Sequence, residues 1–269
     1  MADLKIGVMG AAGRMGGAVI RQVADTPGMA VVAACEGPGA AALGRDAGEL
    51  AGLGRIGVAI GADPAAVIAA SDAVIEFSTP AASAEHAALC AAKGVAHVIG
   101  TTGLDAKSQA ALAEAAKRCA IVHAPNMSLA VNILFALTRQ VAATLDAEFD
   151  IEIVEMHHRH KVDAPSGTAL ELGRRAADGR KVKLDQVARM TREGQVGARK
   201  KGEIGFASLR GGDVVGDHTV IFAADGERLE LGHKAASRQI FARGAVHAAR
   251  WAHGQKPGLY SMFDVLGLK

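Results

Sequence analysis

The chain opens on an apolar run, Leu4 to Met9, with β-branched Ile6 and Val8, and the run breaks into closely spaced glycines. From Gly16 to Ala24 the apolar residues Ala18, Val19, Ile20 and Val23 fall at helical spacing, which predicts a helix. Met29 to Cys35 reads as a second strand, set off by Thr26-Pro27-Gly28. The alternation continues with a strand at Ala73 to Phe77, a helix at Ala82 to Lys93 and a strand at Ala96 to Ile99. A helix at Ala106 to Cys119 and a strand at Ala120 to His123 follow. Strands alternating with helices over short connections need crossovers, so they predict an α/β fold with a parallel sheet covered on both faces.

The rhythm changes after Asn126. Leu129 to Leu145 reads as one long helix, Asp150 to Met156 as a polar-apolar strand, and Thr168 to Ala177 as another helix. Strand character recurs at Gly205 to Leu209, Val214 to Val215, Thr219 to Ala223 and Arg228 to Leu231, before a helix at Gln239 to His253. That order predicts a mixed or antiparallel sheet in a second domain.

Composition removes several function classes. The 269 residues suffice for two ordinary domains; half are apolar and the net charge is only +2. A folded globular chain fits these values; a nucleic-acid binder does not, because the basic excess is missing and aromatics to stack bases make up only 3%. Cys35, Cys90 and Cys119 are widely spaced, odd in number and lack CxxC pairing, so neither a zinc site nor a disulfide framework is read from them. A reducing cytoplasm is the expected compartment. The strand-like start leaves no room for a signal peptide, and runs such as Ala65 to Ala70 or Ile133 to Leu137 are too short to span a membrane.

Two segments carry chemistry. The first turn reads Gly7-Val8-Met9-Gly10-Ala11-Ala12-Gly13-Arg14-Met15-Gly16. Glycines let the backbone turn sharply and approach a pyrophosphate, and the next helix would present its unpaired N–H groups and positive dipole end to that anion. Arg14 could add a charge-assisted contact. The spacing departs from G-x-G-x-x-G, since position 8 is valine and glycine falls at 7 instead. Glu36, closing the second strand, stands where a carboxylate accepts from the adenosine ribose. The competing account is a glycine-rich turn with a surface Glu and no ligand.

The second segment runs Glu152-Ile153-Val154-Glu155-Met156-His157-His158-Arg159-His160-Lys161-Val162-Asp163-Ala164-Pro165-Ser166-Gly167-Thr168-Ala169. A strand ends in a knot of protonatable donors and a helix begins a few residues later. Thr168 with Glu171 fits a capping box. The Ser166 to Thr168 N–H groups would then point at an anion flanked by His158 and Lys161, which suits a small carboxylated substrate. A metal is not expected, because no acidic or thiolate ligand joins the histidines at a familiar spacing. A solvated basic loop is the alternative, but it does not explain why the cluster joins a strand end to a helix start.

This segment resembles the signature of 4-hydroxy-tetrahydrodipicolinate reductases, E-[IV]-x-E-x-H-x-x-x-K-x-D-x-P-S-G-T-A, at every specified position. Further family pieces follow in order: Glu76-Phe77-Ser78-Thr79-Pro80, Gly100-Thr101-Thr102-Gly103, Ala124-Pro125-Asn126-Met127-Ser128, Ile204-Gly205-Phe206 and His233-Lys234-Ala235-Ala236-Ser237-Arg238. The resemblance implies a Rossmann-type doubly wound parallel sheet, residues 1–128 and 239–269, with an inserted α+β substrate and oligomerisation domain, residues 129–238. It implies His157 as catalytic acid/base and Lys161 as second proton donor, with His158, Gly167 and Thr168 on the substrate carboxylate. Arg238 is a further candidate for substrate contact. Gly10, Ala11, Ala12, Gly13, Arg14, Met15, Glu36, Gly100, Thr101, Thr102, Ala124, Pro125, Asn126 and Met127 would line NADH or NADPH. Many members carry arginine after the acidic residue, and Gly37 in its place implies NADH preference. Ala130 stands where a hinge glycine is usual. A homotetramer joined through the second domain's sheets is expected, acting in the diaminopimelate route to lysine. A nucleotide sensor would not need the His157 to Thr168 array, and the P-S-G-T run after H-x-x-x-K argues against an amino-acid or semialdehyde dehydrogenase.

Overall fold

The computed structural model describes residues 3–268, so the outermost residues of the expected nucleotide domain, 1–2 and 269, lie outside the described residues. Two compact units emerge: one from the chain up to Leu129 together with Arg238–Leu268, the other Ala130–Ser237.

The first unit begins β1 (Leu4–Met9), α1 (Arg14–Ala24), β2 (Met29–Cys35), α2 (Ala47–Ala51), β3 (Ile60–Gly61) and α3 (Pro64–Ala70). It continues with β4 (Ala73–Glu76), α4 (Pro80–Lys93), β5 (Ala96–Ile99), α5 (Ala106–Ala115) and β6 (Ala120–His123). Helix starts carry their expected chemistry: Asp63 caps α3 with Pro64 in its first turn, and Thr79 caps α4 ahead of Pro80. Proline pins the first helical φ where its missing N–H costs nothing, and the preceding oxygen satisfies an N–H that would lack a partner.

The second unit runs α6 (Leu129–Thr144), β7 (Asp150–His157), α7 (Gly167–Arg180), α8 (Leu184–Val187), β8 (Ala188–Arg189), β9 (Ile204–Arg210), β10 (Gly216–Ala224) and β11 (Glu227–Ala235). The chain then returns to the first unit with α9 (Gln239–His253), β12 (Gly258–Tyr260) and α10 (Met262–Leu266).

The first sheet is parallel throughout, in the order β12-β6-β5-β4-β1-β2-β3. Period-two side-chain alternation divides its core between two faces. Ile6, Val8, Ile75, Val98 and Val122 pack with α1 and α9; Met9, Val74, Ile99 and Ile121 pack on the side of α3, α4 and α5. Burying each such side chain contributes about 1.5–3 kcal/mol. Strand order reverses between β1 and β4, and ligands of doubly wound sheets settle outside the strand C-termini at that switch point.

The second sheet is mixed, ordered β11-β10-β7-β9-β8, with β10 antiparallel to β7 and β11, and β9 parallel to β7 and β8. Ile151, Ile153 and Glu155 of β7 face inward with Val220, Phe222 and His218 of β10, while Glu152, Val154 and Met156 take the other face. On that outward face Glu152 holds Arg192 bidentately at 2.8 and 2.8 Å and Arg199 at 2.9 Å, which fastens the long 190–203 connection to the sheet. Val214 and Val215, expected in a strand, instead form the turn into β10, where the Val214 carbonyl accepts from the His158 N–H at 2.7 Å.

Candidate active site

In the first unit the loop after β1 is built for close approach. Gly10 has φ +68°, a region L side chains rarely adopt, and any Cβ on Gly16 would overlap the Gly10 carbonyl oxygen. Gly13 precedes α1 without a side-chain cap, so the first-turn N–H groups have no competing oxygen from the cap position. Gly7 lies inside β1 rather than in the loop; a Cβ there would come within 2.9 Å of Val67 of α3. Its role is packing, which explains the displaced glycine spacing.

Glu36 follows β2 and reaches back over this loop. Its Oε2 accepts from the Ala12 N–H and its Oε1 from the Gly37 N–H, both at 3.0 Å. Arg14 and Thr102 are exposed, while Ala11, Gly100, Thr101, Ala124 and Met127 are buried. Thr101 accepts from the Ser78 N–H at 3.0 Å, tying the loop after β5 to the loop after β4. Beneath these loops Glu76, 0% exposed, binds His97 Nε2 at 2.7 Å, lies 3.2 Å from His86 Nδ1, and accepts from the hydroxyls of Ser83 and Ser78. Burial raises the Glu76 carboxyl, but its two histidine partners outweigh this and hold it below the ordinary carboxylate range.

In the second unit β7 delivers the histidine cluster. His157, its last residue, bonds through Nδ1 to Glu155 Oε2 at 2.5 Å. Glu155 is 1% exposed, and every face of its carboxylate is engaged. Arg210 of β9 grips it with two guanidinium nitrogens at 2.9 and 2.8 Å, and Ser166 donates its N–H at 3.2 Å. Burial pushes Glu155 up; the hydrogen bonds from Arg210 and His157 overcome that and leave it below its usual value. The Ser166 hydroxyl meets His218 Nε2 at 3.1 Å, and the His218 ring stands edge-on to His157 with centroids 5.1 Å apart. Burial, reinforced by the charge of His157, pushes the His218 imidazole down to about 4, so it is neutral near pH 7.

Lys161 Nζ pairs with Asp163 at 2.7 Å, and that contact chiefly holds the Asp163 carboxyl down. His158, half-buried, stacks obliquely toward His160 with centroids 6.2 Å apart. Gly167 and Thr168 open α7.

Two expectations are corrected. The cap of α7 is Ser166, whose hydroxyl accepts from the Ala169 N–H at 3.2 Å, and not Thr168. Glu171 serves no capping box because it pairs with Arg174 and Arg175. The Ser166 N–H is also unavailable to an outside anion, since Glu155 occupies it. Glu155, Arg210 and His218 carry no role in the signature reading, yet they surround His157. A signal existed for His218: it sits between Gly216 and Val220 on the inward face of β10, where the pattern calls for an apolar residue.

Comparison with known proteins divides the chain between Met127 and Ala130, and its second part runs on past the inserted unit into the segment that returns to the first. The family description "Dihydrodipicolinate reductase, N-terminus" matches residues 4–127, and "Dihydrodipicolinate reductase, C-terminus" matches residues 130–266. The chain is 57% identical over 269 residues to a 4-hydroxy-tetrahydrodipicolinate reductase of Parvibaculum lavamentivorans, covering 100% of this chain and 99% of that protein. It is 56% identical over 268 residues to the protein of that name from Rhodopseudomonas palustris, with 100% and 99% covered. Among solved structures, dipicolinate-bound dihydrodipicolinate reductase from Paenisporosarcina sp. TG-14 aligns with TM-score 0.77 at 22% identity, over 97% of this chain and 98% of that one. An amine dehydrogenase from Mycobacterium smegmatis aligns at TM-score 0.59 and 14% identity, covering 97% and 95%, a likeness of fold.

Proposed function

The chain belongs to the dihydrodipicolinate reductase family, and from that premise we propose that it reduces 4-hydroxy-tetrahydrodipicolinate to tetrahydrodipicolinate, with loss of water, in the diaminopimelate route to lysine. The observation that carries the reading is the meeting of the β7 end with the start of α7, which gathers His157, a buried carboxylate and the Gly167-Thr168 turn. Dipicolinate in the Paenisporosarcina enzyme is a planar analogue of such a dicarboxylate.

The first unit's residues fit a nicotinamide dinucleotide. Gly10 to Met15 offer a tight turn and an uncapped helix start for the pyrophosphate, and Glu36 offers carboxylate oxygens to the ribose. Gly100, Thr101, Thr102 and the Ala124 to Met127 segment end β5 and β6 on the same edge of the sheet. When bound, the nicotinamide supplies hydride. His157 supplies a proton to the electron density that hydride addition leaves on the substrate, and Lys161 is the second donor. Gly167 and Thr168 hold substrate carboxylate at the α7 start, where N–H groups and dipole favour an anion, with His158 beside them. Glu36, lacking a cation at Gly37, favours NADH over NADPH.

We extend the proposal to a cytoplasmic homotetramer joined through the second unit's sheet, whose outward face carries Val154, Met156, Ile221 and the exposed Leu209. No helix among the described residues is long and apolar enough to cross a membrane. The test of function follows nicotinamide absorbance with freshly generated substrate, using each cofactor separately. Oxidation of neither cofactor by the purified chain would overturn the reading.

A further inference from the structure

The pairing of strands aligns two rows of side chains on the inward face of the second sheet. Glu155 of β7 stands opposite His218 of β10 and Ser208 of β9; two residues along, His157 stands opposite Arg210 and lies close to Gly216 at the start of β10. A Cβ at Gly216 would lie 3.0 Å from His157 Nε2, so the absent side chain leaves room for the imidazole to lie across β10. The ring is thereby held at Nδ1 by Glu155, with Nε2 over the bare Gly216 position and His218 edge-on beside it.

From this arrangement we propose that Glu155, clamped by Arg210, is a positioning residue for the reduction: it sets the tautomer of His157 so that the transferable proton rides on Nε2. The argument is one of hydrogen-bond inventory. An ionised carboxylate only accepts, and Glu155 already accepts from both guanidinium nitrogens of Arg210 and from the Ser166 N–H. His157 Nδ1 at 2.5 Å must therefore bring a hydrogen. Neutral His157 is then the Nδ1–H form with a bare Nε2, and taking up a proton there creates an imidazolium whose Nε2–H is the donor. After transfer to substrate the same Nδ1–H tautomer returns, with no ring flip or second proton movement.

Arg210 gives the clamp its rigidity. Besides its two bonds to Glu155 it donates to the Asp163 carbonyl at 2.7 Å, joining the carboxylate to the loop that carries Lys161. The other charged or titratable groups facing His157 come from separate elements. His218 of β10 is neutral near pH 7 because of its burial, and Lys161 in the loop is paired with Asp163. Glu155 is the one carboxylate paired with the His157 ring among the described residues.

This inference rests on His157 being the proton donor, and the experiment separates the two claims. Steady-state kinetics of Glu155→Gln, Arg210→Lys and His157→Ala are compared across pH, alongside ¹⁵N-histidine NMR of the wild-type protein, with His157 assigned by His157→Asn. Glu155→Gln is expected to cut kcat by roughly 10²- to 10⁴-fold, as loss of a carboxylate that fixes a catalytic imidazole does elsewhere. KM for both substrates should stay near wild type, and the alkaline limb of kcat should move to lower pH. Arg210→Lys, keeping charge without the two-pronged grip, should fall between. In the NMR spectrum of the neutral form, His157 should carry hydrogen on Nδ1. A hydrogen on Nε2 instead, or near-wild-type kcat with an unmoved pH limb in Glu155→Gln, overturns the inference even where His157→Ala is inactive. An active His157→Ala overturns the reading of His157 itself.

Discussion

His218 is buried, 4% exposed, with its Nε2 on Ser166 and no partner for Nδ1 among the described residues. Its ordinary value of 6.5 falls to about 4 in the fold. A base depressed on folding binds its proton more readily in the unfolded chain, so stability is full above the ordinary value and is lost as pH falls toward the folded one. With 6.5 unfolded and about 4 folded, the loss between pH 7.5 and 5 is about 2 kcal/mol, and it levels off near 3 kcal/mol below pH 4. His218→Gln keeps an amide nitrogen near the Nε2 position but cannot titrate. Urea unfolding followed by circular dichroism at pH 5, 6 and 7.5 should show the variant losing about 2 kcal/mol less than wild type across that range. His123 and His233, also pushed down by burial, are present in both proteins and cancel in the difference. The depressed carboxylates Glu76, Glu155 and Asp163 act below this window, as pH falls from the ordinary carboxylate range. Parallel stability-pH curves for the two proteins would refute the assignment of His218 as a buried base that is neutral near pH 7.

Other substitutions probe the rest of the site. His157→Ala and Lys161→Ala should fold normally and lose about 10²- to 10³-fold in turnover, the usual cost of removing a transition-state donor; near-wild-type kcat in both removes the pair from the mechanism. Wild type should favour NADH by at least about tenfold in kcat/KM, equivalent to about 1.4 kcal/mol, because Glu36 repels a 2′-phosphate, and Gly37→Arg should recover NADPH. Preference for NADPH in wild type would dismiss that ribose pocket. Ser166→Ala should cost about 1 kcal/mol in melting experiments through the lost cap, whereas Thr168→Val should raise KM for substrate with little change in stability. The reverse pattern would return the cap to Thr168.

The larger elements were legible because their length lets periodicity speak. Met29–Cys35, Ala96–Ile99, Ala120–His123 and Gln239–His253 stand where the pattern puts them, and Leu129–Thr144 ends one residue short. The two-residue strands β3 and β8 and the five-residue α2 are too short to show a period; neighbouring backbone holds them in place. Helix α3 hid inside an alanine-rich run, although Asp63-Pro64 announces its start. The glycine-rich turn after β1 and the histidine cluster after β7 were visible because local chemistry marks them. Arg210 was not, since it lies 55 residues from Glu155 and meets it only through the register of β9 against β7. Ser166 displaced Thr168 as the cap through a contact that local spacing does not show: Glu155 of β7 holds the Ser166 N–H and fixes where the helix begins.

The late return of α9 has a consequence for the protein during synthesis. Ala242, Ala245, Val246, Ala248, Ala249 and Ala252 of this helix belong to the same core as Ile6, Val8, Ile75 and Val98. The strands up to β6 leave the ribosome long before that cover exists, because Ala130–Ser237 must be made first. At about 5–20 residues per second, that wait is roughly 5–20 s. For that interval one flank of the nascent parallel sheet is bare apolar surface, while the intervening unit is continuous in sequence and can fold as it emerges. The inserted unit is thus free to mature first, and the parallel-sheet unit is sealed afterwards, by a segment translated later than the unit it skips.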